Sequence, residues 1–299
     1  MGHNHGSSSA STSHRWRLAV SFGLVAVFFV VELSVGLLSG SLALISDAGH
    51  MAADVVALGA ALVATKIATR TDRSGRRTYG SYRAEVFASG FTVLLMLGVS
   101  VYVVLEGISR IGEPVDVANG PLLIVGAIGL VINLVCLVLL RGGADESLNV
   151  KGAYLEVVAD AAGSVGVLVA GGLIALTGEG YWDTAIALAI GVFVAVRAVM
   201  LGREVLAVLG QHVPAHMDLN TVISDLEAVD GVADVHDFHA WTLTSGMNVA
   251  TAHLVLAPSA DGQAVLLQSR TVLRQRHDVQ HATLQVESNP SRECQESTW

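Results

Sequence analysis

Six long apolar runs dominate the first two thirds of this sequence. They cover about residues 18–38, 42–64, 84–105, 117–140, 150–177 and 181–201. A helix needs roughly 20 apolar residues to cross the hydrocarbon core of a bilayer, so each run is long enough to span a membrane. Only 14% of the residues are charged, against about 25% in soluble domains. The sequence therefore predicts an all-α membrane bundle of six helices over residues 16–205.

Basic residues lie mainly on one side of the predicted bundle. Arg110 is the only one in the loops of the opposite side. The loop between the second and third runs carries six: Lys66, Arg70, Arg73, Arg76, Arg77 and Arg83. Loops rich in lysine and arginine face the cytoplasm, and six spans return the chain to its starting side. Both termini are therefore expected in the cytoplasm, and the short, compact chain favours a bacterial plasma (inner) membrane.

The pattern changes at Gln211 to short amphipathic elements typical of a soluble domain. Helices are predicted over residues 219–229 and 262–276, and strands over residues 232–243, 248–257 and 282–287. Asp218 is suited to cap the first helix, and the turn signal Thr244-Ser245-Gly246 joins the first two strands into a hairpin. The αββαβ order over residues 211–290 predicts a small two-layer α+β domain.

The two ends of the chain are polar and are predicted to lie outside these domains. Residues 1–15 are rich in serine and are expected to be a disordered tail on the cytoplasmic side. Histidines in this tail either bind metal weakly or have no role: His3, His5 and His14. Residues 291–299 are expected to form a second tail.

The charge and cysteine content narrow the partners and the compartment. The formal net charge is −9, and the soluble domain has no basic face, which argues against nucleic acid as a partner. The two cysteines, Cys136 and Cys294, cannot form a disulfide framework. A reducing compartment on the side of the C-terminal tail is therefore expected.

Two pairs of ionisable residues interrupt the apolar runs at the same spacing. His50 and Asp54 lie four residues apart in the second run, and Glu156 and Asp160 lie four apart in the fifth. On a helix this spacing puts both members on one face, close enough to hold one ion between them. A charge at the bilayer centre costs roughly 2.5 to 3.5 kcal/mol, so charges that persist there usually have a function. One pair is equally explained by hydrogen bonds to neighbouring helices, but two matching pairs favour a shared ion site.

The donors in these two pairs are suited to a divalent metal. Imidazole and carboxylate groups bind first-row metals, and four donors suit a roughly tetrahedral ion such as zinc. These groups bind metal only when deprotonated, so metal binding releases protons and protonation expels metal. The site thus predicts a transporter that exchanges a divalent cation for protons across the lipid bilayer, without covalent chemistry and without a cofactor.

A second group of candidate ligands lies in the soluble domain. His236 and His253 fall in adjacent predicted strands, and Glu287 ends the last strand. These residues either converge on a cytosolic metal site or are ordinary surface side chains. His239 lies three residues after His236, which on a regular strand puts the two side chains on opposite faces. The remaining histidines of the domain have no assigned role, although the last of them begins the final strand: His212, His216, His277 and His281.

Several motifs carry a resemblance to a known family. Residues 46–54 read SDAGHMAAD, and the other matching groups are Tyr79-Gly80 with Arg83-Ala84-Glu85, Gly152-Ala153-Tyr154 with Asp160-Ala161-Ala162-Gly163-Ser164, and Val235-His236-Asp237 with His239 and Trp241-Thr242. With these motifs the chain resembles the cation diffusion facilitators, proton-coupled exporters of zinc and related divalent metals. The resemblance implies six membrane helices, a cytosolic ferredoxin-like domain and a homodimer.

The resemblance also implies site residues. The positions of the transport site match His50, Asp54, Glu156 and Asp160, and cytosolic metal sites match best at His236 and His253. One departure matters, because the zinc-moving branch usually has His at the position of Glu156. One nitrogen and three carboxylates form a harder donor set, which widens acceptance from zinc and cadmium towards cobalt, iron or manganese. The family's loop histidines have no match in residues 66–82, so no metal site is expected there.

Two other functions compete with the antiporter. An intramembrane metalloenzyme would need a nucleophile or an activated water, and neither a His-Glu-x-x-His motif nor a Gly-x-Gly-Asp motif occurs. A membrane-tethered metal sensor would use the helices only as an anchor, so Asp54 and Asp160 would be dispensable. The exporter is preferred because it explains both ionisable pairs inside the membrane, with the soluble domain dimerising and sensing metal.

Overall fold

The computed structural model describes residues 8–68, 78–81, 83–111, 118–144, 148–244 and 246–288. These residues form two compact units. The first combines residues 8–63 with the described part of 88–202, and the second combines the described parts of 64–87 and 203–288. Cys294, His3, His5 and the tail at 291–299 lie outside the described residues, as does most of the loop in which no metal site was expected.

Six long helices precede the α+β domain in the described chain. They are α1 (Ser8–Ser39), α2 (Leu42–Ala68), α3 (Arg83–Ser109), α4 (Asn119–Ala144), α5 (Leu148–Thr177) and α6 (Tyr181–Leu209). Among the described residues, five stretches are long and apolar enough to cross a membrane: Ala19–Ser39, Arg83–Ser109, Asn119–Arg141, Tyr154–Thr177 and Tyr181–Leu209. The protein is therefore a multi-pass membrane protein.

All six helices extend beyond the apolar runs that predicted them, and α1 and α6 extend furthest. α1 begins at Ser8, so residues 8–15 of the predicted tail belong to a helix. No proline or glycine interrupts residues 8–17, and the helix can continue through them. α6 continues to Leu209, eight residues past its predicted end at position 201. An apolar run marks only the part of a helix that is suited to lipid. The helix itself ends where the backbone hydrogen bonds end, which can be several residues further on.

Small residues let the membrane helices approach one another closely. A methyl group on Gly129 of α4 would lie 2.6 Å from the ring of Phe28 of α1 and 3.0 Å from Ser164 Oγ of α5. Asn133, one turn after Gly129, donates a hydrogen bond from Nδ2 to the same Ser164 hydroxyl at 3.2 Å. This contact ties α4 to the helix that carries Asp160.

The start of α2 is held by a carboxylate from another helix. Asp183 of α6 is fully buried and accepts hydrogen bonds from the Ser41 hydroxyl at 2.5 Å and from the Leu42 amide at 2.6 Å. It also accepts a 3.3 Å hydrogen bond from the Ala43 amide. Free amides at a helix start need such an acceptor. Asp183 thereby fixes α2, and hence His50 two turns later, against α6.

The second unit has the predicted αββαβ order. Its elements are α7 (Leu219–Glu227), β1 (Val232–Thr244), β2 (Met247–Leu256), α8 (Gly262–Arg276) and β3 (Val279–Glu287). α8 has the predicted bounds, whereas α7 ends two residues before the predicted position 229. The sheet order is β1-β2-β3, with β1 antiparallel and β3 parallel to the central strand β2. Both helices contribute to one core with the sheet, through Val222, Leu226, Ala250, Leu254, Val265 and Leu273.

Asp218 caps α7 as predicted. Its side chain accepts a hydrogen bond from the Asn220 amide and a 2.6 Å hydrogen bond from the Thr221 hydroxyl. The Thr221 hydrogen bond, together with the backbone amides, favours the charged form and lowers the pKa of Asp218 below its ordinary value. The Asp218 carboxylate is therefore ionised at neutral pH and accepts the hydrogen bonds that fix the start of α7.

A β-bulge in β1 changes which side chains share a face of the sheet. His236 pairs with His253 and His239 pairs with Thr251, with a register shift between them. Asp237 lies in this segment with φ of 52°, in the left-handed region. Because residues 251 and 253 point to the same side of β2, His236 and His239 do so as well. The prediction that they lie on opposite faces was wrong, since the bulge inserts an extra residue and resets the alternation.

Candidate metal centres

Three of the predicted membrane ligands converge in the first unit. His50 and Asp54 of α2 and Asp160 of α5 offer ligand atoms that all lie within 4.8 Å of one another. His50 Nε2 is 3.8 Å from Asp54 Oδ2 and 3.6 Å from Asp160 Oδ1. His50 is 2% exposed, Asp160 3% and Asp54 24%. The two helices therefore bring one imidazole and two carboxylates to a buried point.

The spacing of these atoms fits a small divalent ion. Bonds of about 2.0 to 2.2 Å from zinc place the ligand atoms of a tetrahedron about 3.4 Å apart, close to the two distances measured from His50 Nε2. Within the described part of the chain, Asp54 Oδ2 and Asp160 Oδ1 have no hydrogen-bond partner. Buried carboxylate oxygens without a partner are costly, and a metal ion would satisfy them. The geometry therefore suits three ligands of one metal site.

Glu156, the fourth predicted ligand, faces an arginine instead. Nη2 of Arg197 in α6 lies 2.5 Å from each carboxylate oxygen of Glu156. Nη1 of the same guanidinium lies 3.1 Å from His50 Nε2. Glu156 therefore stands beside the cluster of His50, Asp54 and Asp160, separated from it by a permanent positive charge.

Arg197 was missed as a site residue from the sequence. Together with Arg203, which is exposed near the end of α6, it fits the rule that basic residues mark the cytoplasmic end of a span. The sequence contains one indication that Arg197 belongs to a site. It lies four residues inside the apolar run that ends at position 201. A charge inside such a run needs a partner, and the partners here are Glu156 and His50.

A second pair of acids lies close to the group of His50, Asp54 and Asp160, which we call the membrane cluster. Glu32 of α1 is fully buried and Asp47 of α2 is 1% exposed, and their carboxyl groups lie near enough to interact. A methyl group on Gly163 of α5 would lie 2.1 Å from Asp47 Oδ1. Gly163 is one turn from Asp160, so the lack of a side chain there makes room for the Asp47 carboxylate. Neither Glu32 nor Asp47 was assigned to the site from the sequence.

The three predicted ligands of the soluble domain also converge. His236, His253 and Glu287 come from β1, β2 and β3, and their ligand atoms all lie within 4.8 Å of one another. His236 Nε2 is 3.6 Å from Glu287 Oε2, and His253 Nδ1 is 3.0 Å from Glu287 Oε1. The sheet register places His236 beside His253, and Glu287 beside Val255 two residues further along β2. The sheet thereby brings together residues that lie up to 51 positions apart in the sequence.

Two aspartates extend this group of ligands. Asp237 Oδ2 lies 3.7 Å from His253 Nε2, and Asp237 Oδ1 lies 2.9 Å from His239 Nε2. Asp234 Oδ2 lies 3.8 Å from His236 Nδ1. A carboxylate on the second nitrogen of a ligating histidine orients the ring and strengthens its donor. The bulge at Asp237 thus brings a carboxylate to 3.7 Å from His253 Nε2, while the same side chain hydrogen-bonds His239.

Two other histidines of this domain have partners away from the cluster. His277 Nε2 lies 2.9 Å from Asp225 Oδ2. His281, which had no role assigned from the sequence, packs its ring edge-on against Tyr79 at 5.5 Å. We therefore exclude both from the metal centre.

Family models match both units of the chain. The model of the cation efflux transmembrane domain matches residues 18–209, and the model of the cation efflux protein cytoplasmic domain matches residues 214–289. The chain belongs to the cation diffusion facilitator family. This cation diffusion facilitator is therefore a transporter and not an enzyme, and the family is one of divalent metal exporters.

Curated relatives are similar in sequence to this protein over nearly the whole chain. The metal cation efflux system protein CzcD of Cupriavidus metallidurans is 39% identical over 97% of this chain and 92% of its own length. The cadmium, cobalt and zinc/H(+)-K(+) antiporter of Bacillus velezensis is 33% identical, over 96% and 92%. The zinc transporter ZitB of Escherichia coli is 32% identical, over 97% and 94%.

The two candidate metal centres of this cation diffusion facilitator fall in different matched domains. His50, Asp54 and Asp160 lie inside the match to the transmembrane domain. The group made by His236, His253 and Glu287 lies inside the match to the cytoplasmic domain. The first group lies among the long helices of the first unit, and the second lies in the sheet of the second unit.

Proposed function

We propose that this cation diffusion facilitator exports a divalent metal cation from the cytoplasm in exchange for protons, with zinc as the first candidate. The observation that carries the proposal is the buried convergence of His50, Asp54 and Asp160 within 4.8 Å. Cadmium, cobalt, iron and manganese are further candidates, because carboxylates make up most of the donor set. The relative from Bacillus velezensis, named as a cadmium, cobalt and zinc/H(+)-K(+) antiporter, supports cadmium and cobalt beside zinc, and it supports the exchange for protons.

Proton exchange follows from the chemistry of the ligands. Neutral imidazole and ionised carboxylates bind metal, whereas their protonated forms do not. A site that faces the cytoplasm takes up metal and releases protons, and a site that faces the opposite, more acidic side is protonated and releases metal. Glu156 joins His50, Asp54 and Asp160 as the fourth ligand when the metal binds. Tetrahedral coordination then needs no additional ligand from the loops.

The proposed architecture places all six helices α1–α6 across a plasma membrane with both termini in the cytoplasm. The basic loop between α2 and α3 supports this orientation. The C-terminal unit is proposed to be a ferredoxin-like domain through which two copies form a homodimer. Its match to the cytoplasmic domain of cation efflux proteins supports this arrangement.

A second role is proposed for the sheet cluster of the C-terminal domain. His236, His253 and Glu287 have the spacing of metal ligands and lie outside the membrane helices. Asp237 and Asp234 contact the second nitrogens of these histidines. We propose that this cluster binds cytosolic metal and makes transport respond to its concentration.

Metal uptake into proteoliposomes tests the transport site. The wild type is expected to take up zinc when the vesicle interior is acidic, and Asp54→Asn is expected to reduce uptake to the level of empty vesicles. Glu204→Gln, which changes an exposed acid of α6, is the control and is expected to keep uptake. Wild-type uptake that is independent of the pH gradient would refute proton exchange, and full uptake by Asp54→Asn would refute the site.

Replacing Glu156 tests how the metal is selected. Uptake of zinc, cadmium, cobalt, iron and manganese is compared between the wild type and Glu156→His. A nitrogen donor softens the site, so the variant is expected to favour zinc more strongly than the wild type. An unchanged order of metals would show that Glu156 does not contribute to selection.

A further inference from the structure

Arg197 contacts the His50 nitrogen and the Glu156 oxygens that the proposed metal site would use as ligands. Its Nη1 donates towards His50 Nε2 at 3.1 Å, and its Nη2 bridges the two oxygens of Glu156 at 2.5 Å. A guanidinium has donors only, so His50 Nε2 is the acceptor of this contact. That nitrogen has a single lone pair, and a metal held with Asp54 and Asp160 would need the same lone pair. A metal ion and the guanidinium therefore cannot both bind His50 in this way.

The position of Arg197 is held from within α6. Phe193, one turn earlier on α6, lies with its ring centre 6.0 Å from the guanidinium carbon of Arg197. The same ring packs edge-on against His50 at 6.2 Å. The Arg197 side chain is nevertheless 28% exposed and that of Glu156 is 41% exposed. The guanidinium thus contacts the cluster without being enclosed by protein on all sides.

The charges explain why such a residue is useful at this position. Glu156, Asp54 and Asp160 bring three carboxyl groups near one histidine, and a cation among them offsets the repulsion between like charges. Arginine stays protonated in proteins, so it supplies a positive charge at any pH at which the transporter works. Glu156 adds a third carboxyl group at this position, and Arg197 is a cation that contacts it.

We propose that Arg197 is a tethered counter-ion that competes with the transported metal. It pairs with Glu156 and caps His50 when the site is free of metal, and it withdraws when metal binds. The competition lowers metal affinity and speeds release, and Glu156 changes partner between Arg197 and the metal. This inference rests on the proposed transport site at His50, Asp54, Glu156 and Asp160.

The test is a double-substitution cycle measured by zinc titration of the full chain in nanodiscs. All proteins carry His253→Ala, which removes a ligand of the sheet cluster, so that the membrane site is titrated alone. Removing the charge with Arg197→Gln is expected to tighten zinc binding at least tenfold and to slow turnover in proteoliposomes. In the Glu156→His background, where the anchor of the guanidinium is gone, the same change is expected to alter affinity less than threefold.

Two controls separate this role from a structural one. Arg203→Gln removes the other arginine of α6, which is exposed, and is expected to leave zinc affinity unchanged. Arg197→Met keeps the length of the apolar stem without the charge, so it should also tighten binding if Arg197→Gln does not assemble. A merely structural arginine would weaken binding when replaced, and weaker or equal binding in Arg197→Gln or Arg197→Met overturns the proposal.

Zinc binding by Asp54→Asn distinguishes failure of the proposed transport site from failure of the counter-ion proposal. If Asp54→Asn binds zinc as tightly as its parent, the transport site itself is wrong and the role of Arg197 falls with it. If Asp54→Asn loses zinc binding and Arg197→Gln does not gain affinity, the transport site stands and only the counter-ion proposal is rejected.

Discussion

The membrane cluster and the sheet cluster contain similar ligands in different electrostatic surroundings. In the membrane, His50 and its carboxylates lie beside the guanidinium of Arg197. In the sheet, the described ion pairs of His236 and His253 are all with carboxylates. A fixed cation opposes a bound metal, whereas extra carboxylates favour it. We infer that the membrane cluster is suited to weaker binding that is reversed in each transport cycle, and the sheet cluster to tighter binding of cytosolic metal.

The two clusters also differ in how their ligands are positioned. The membrane ligands depend on contacts between helices, such as the fit of Asp47 against Gly163. The sheet ligands depend on backbone pairing, in which His236 lies opposite His253. Helix contacts are sensitive to a single methyl group, because interiors are close-packed. Backbone pairing tolerates changes of side chain as long as the register is kept.

The largest effect is expected from adding a methyl group at the helix contact. Gly163→Ala would place a carbon 2.1 Å from Asp47 Oδ1, so the buried carboxylate must move next to the turn that carries Asp160. We expect zinc transport to fall at least about tenfold, with a loss of about 1 to 3 kcal/mol in the free energy of unfolding. Proteoliposome uptake and thermal unfolding in detergent measure the two effects.

A glycine of the same helix provides the matched control. Gly172→Ala has nothing within 4 Å of its new carbon and is expected to keep transport. Combining Gly163→Ala with Asp47→Ala removes the collision, so the double variant should be no worse than Asp47→Ala alone. Additive losses in the double variant would show that the contact is not the cause.

Removing a sheet ligand is expected to change binding but hardly to change maximal transport. His253→Ala should reduce the zinc bound per chain by one and leave uptake at saturating zinc within about twofold of the wild type, because the membrane ligands are intact. His277→Ala, whose ring contacts Asp225, is the control and should keep the stoichiometry. Loss of saturating transport in His253→Ala would contradict the separation of the two clusters.

A smaller effect is expected from the carboxylate at the bulge. Asp237→Asn keeps a residue that adopts positive φ readily but removes the charge 3.7 Å from His253 Nε2. Loss of such a supporting carboxylate typically weakens metal binding about tenfold, which competition with a zinc chelator can measure. Asp278→Asn, at an exposed position with the same φ of 52°, should leave affinity unchanged. Equal effects of both variants would assign the change to the backbone and not to the charge.

The smallest effect concerns the stability of the domain that carries the sheet cluster. Asp261 caps α8 by accepting hydrogen bonds from the amides of Gln263 and Ala264. Asp261→Ala is expected to destabilise the domain by about 1 kcal/mol, whereas Asp261→Asn, which also caps helices, should cost less. Thermal unfolding of the full chain measures this change, and zinc affinity is expected to stay as in the wild type. A loss of zinc binding would mean that α8 also positions the ligands.

Much of the fold was predictable because it depends on local pattern. Apolar runs predicted the long helices, and α8 has the predicted bounds from Gly262 to Arg276. The cap at Asp218 followed from a carboxylate placed just before an amphipathic run. The proposed ligands were named from an i, i+4 spacing and from adjacent strands, both of which depend on residues near one another in sequence or in pairing.

The sequence alone determined the kinds of element and the ligand types available, because periodicity and composition are properties of the chain itself. Only the tertiary structure decided which side chains contact one another. Arg197 lies 147 positions from His50, and no local pattern indicates that they are in contact. The bulge at Asp237 likewise depends on which residues β2 presents to β1. Such choices are made by packing and electrostatics between distant segments, and they give the two clusters of similar ligands their different surroundings.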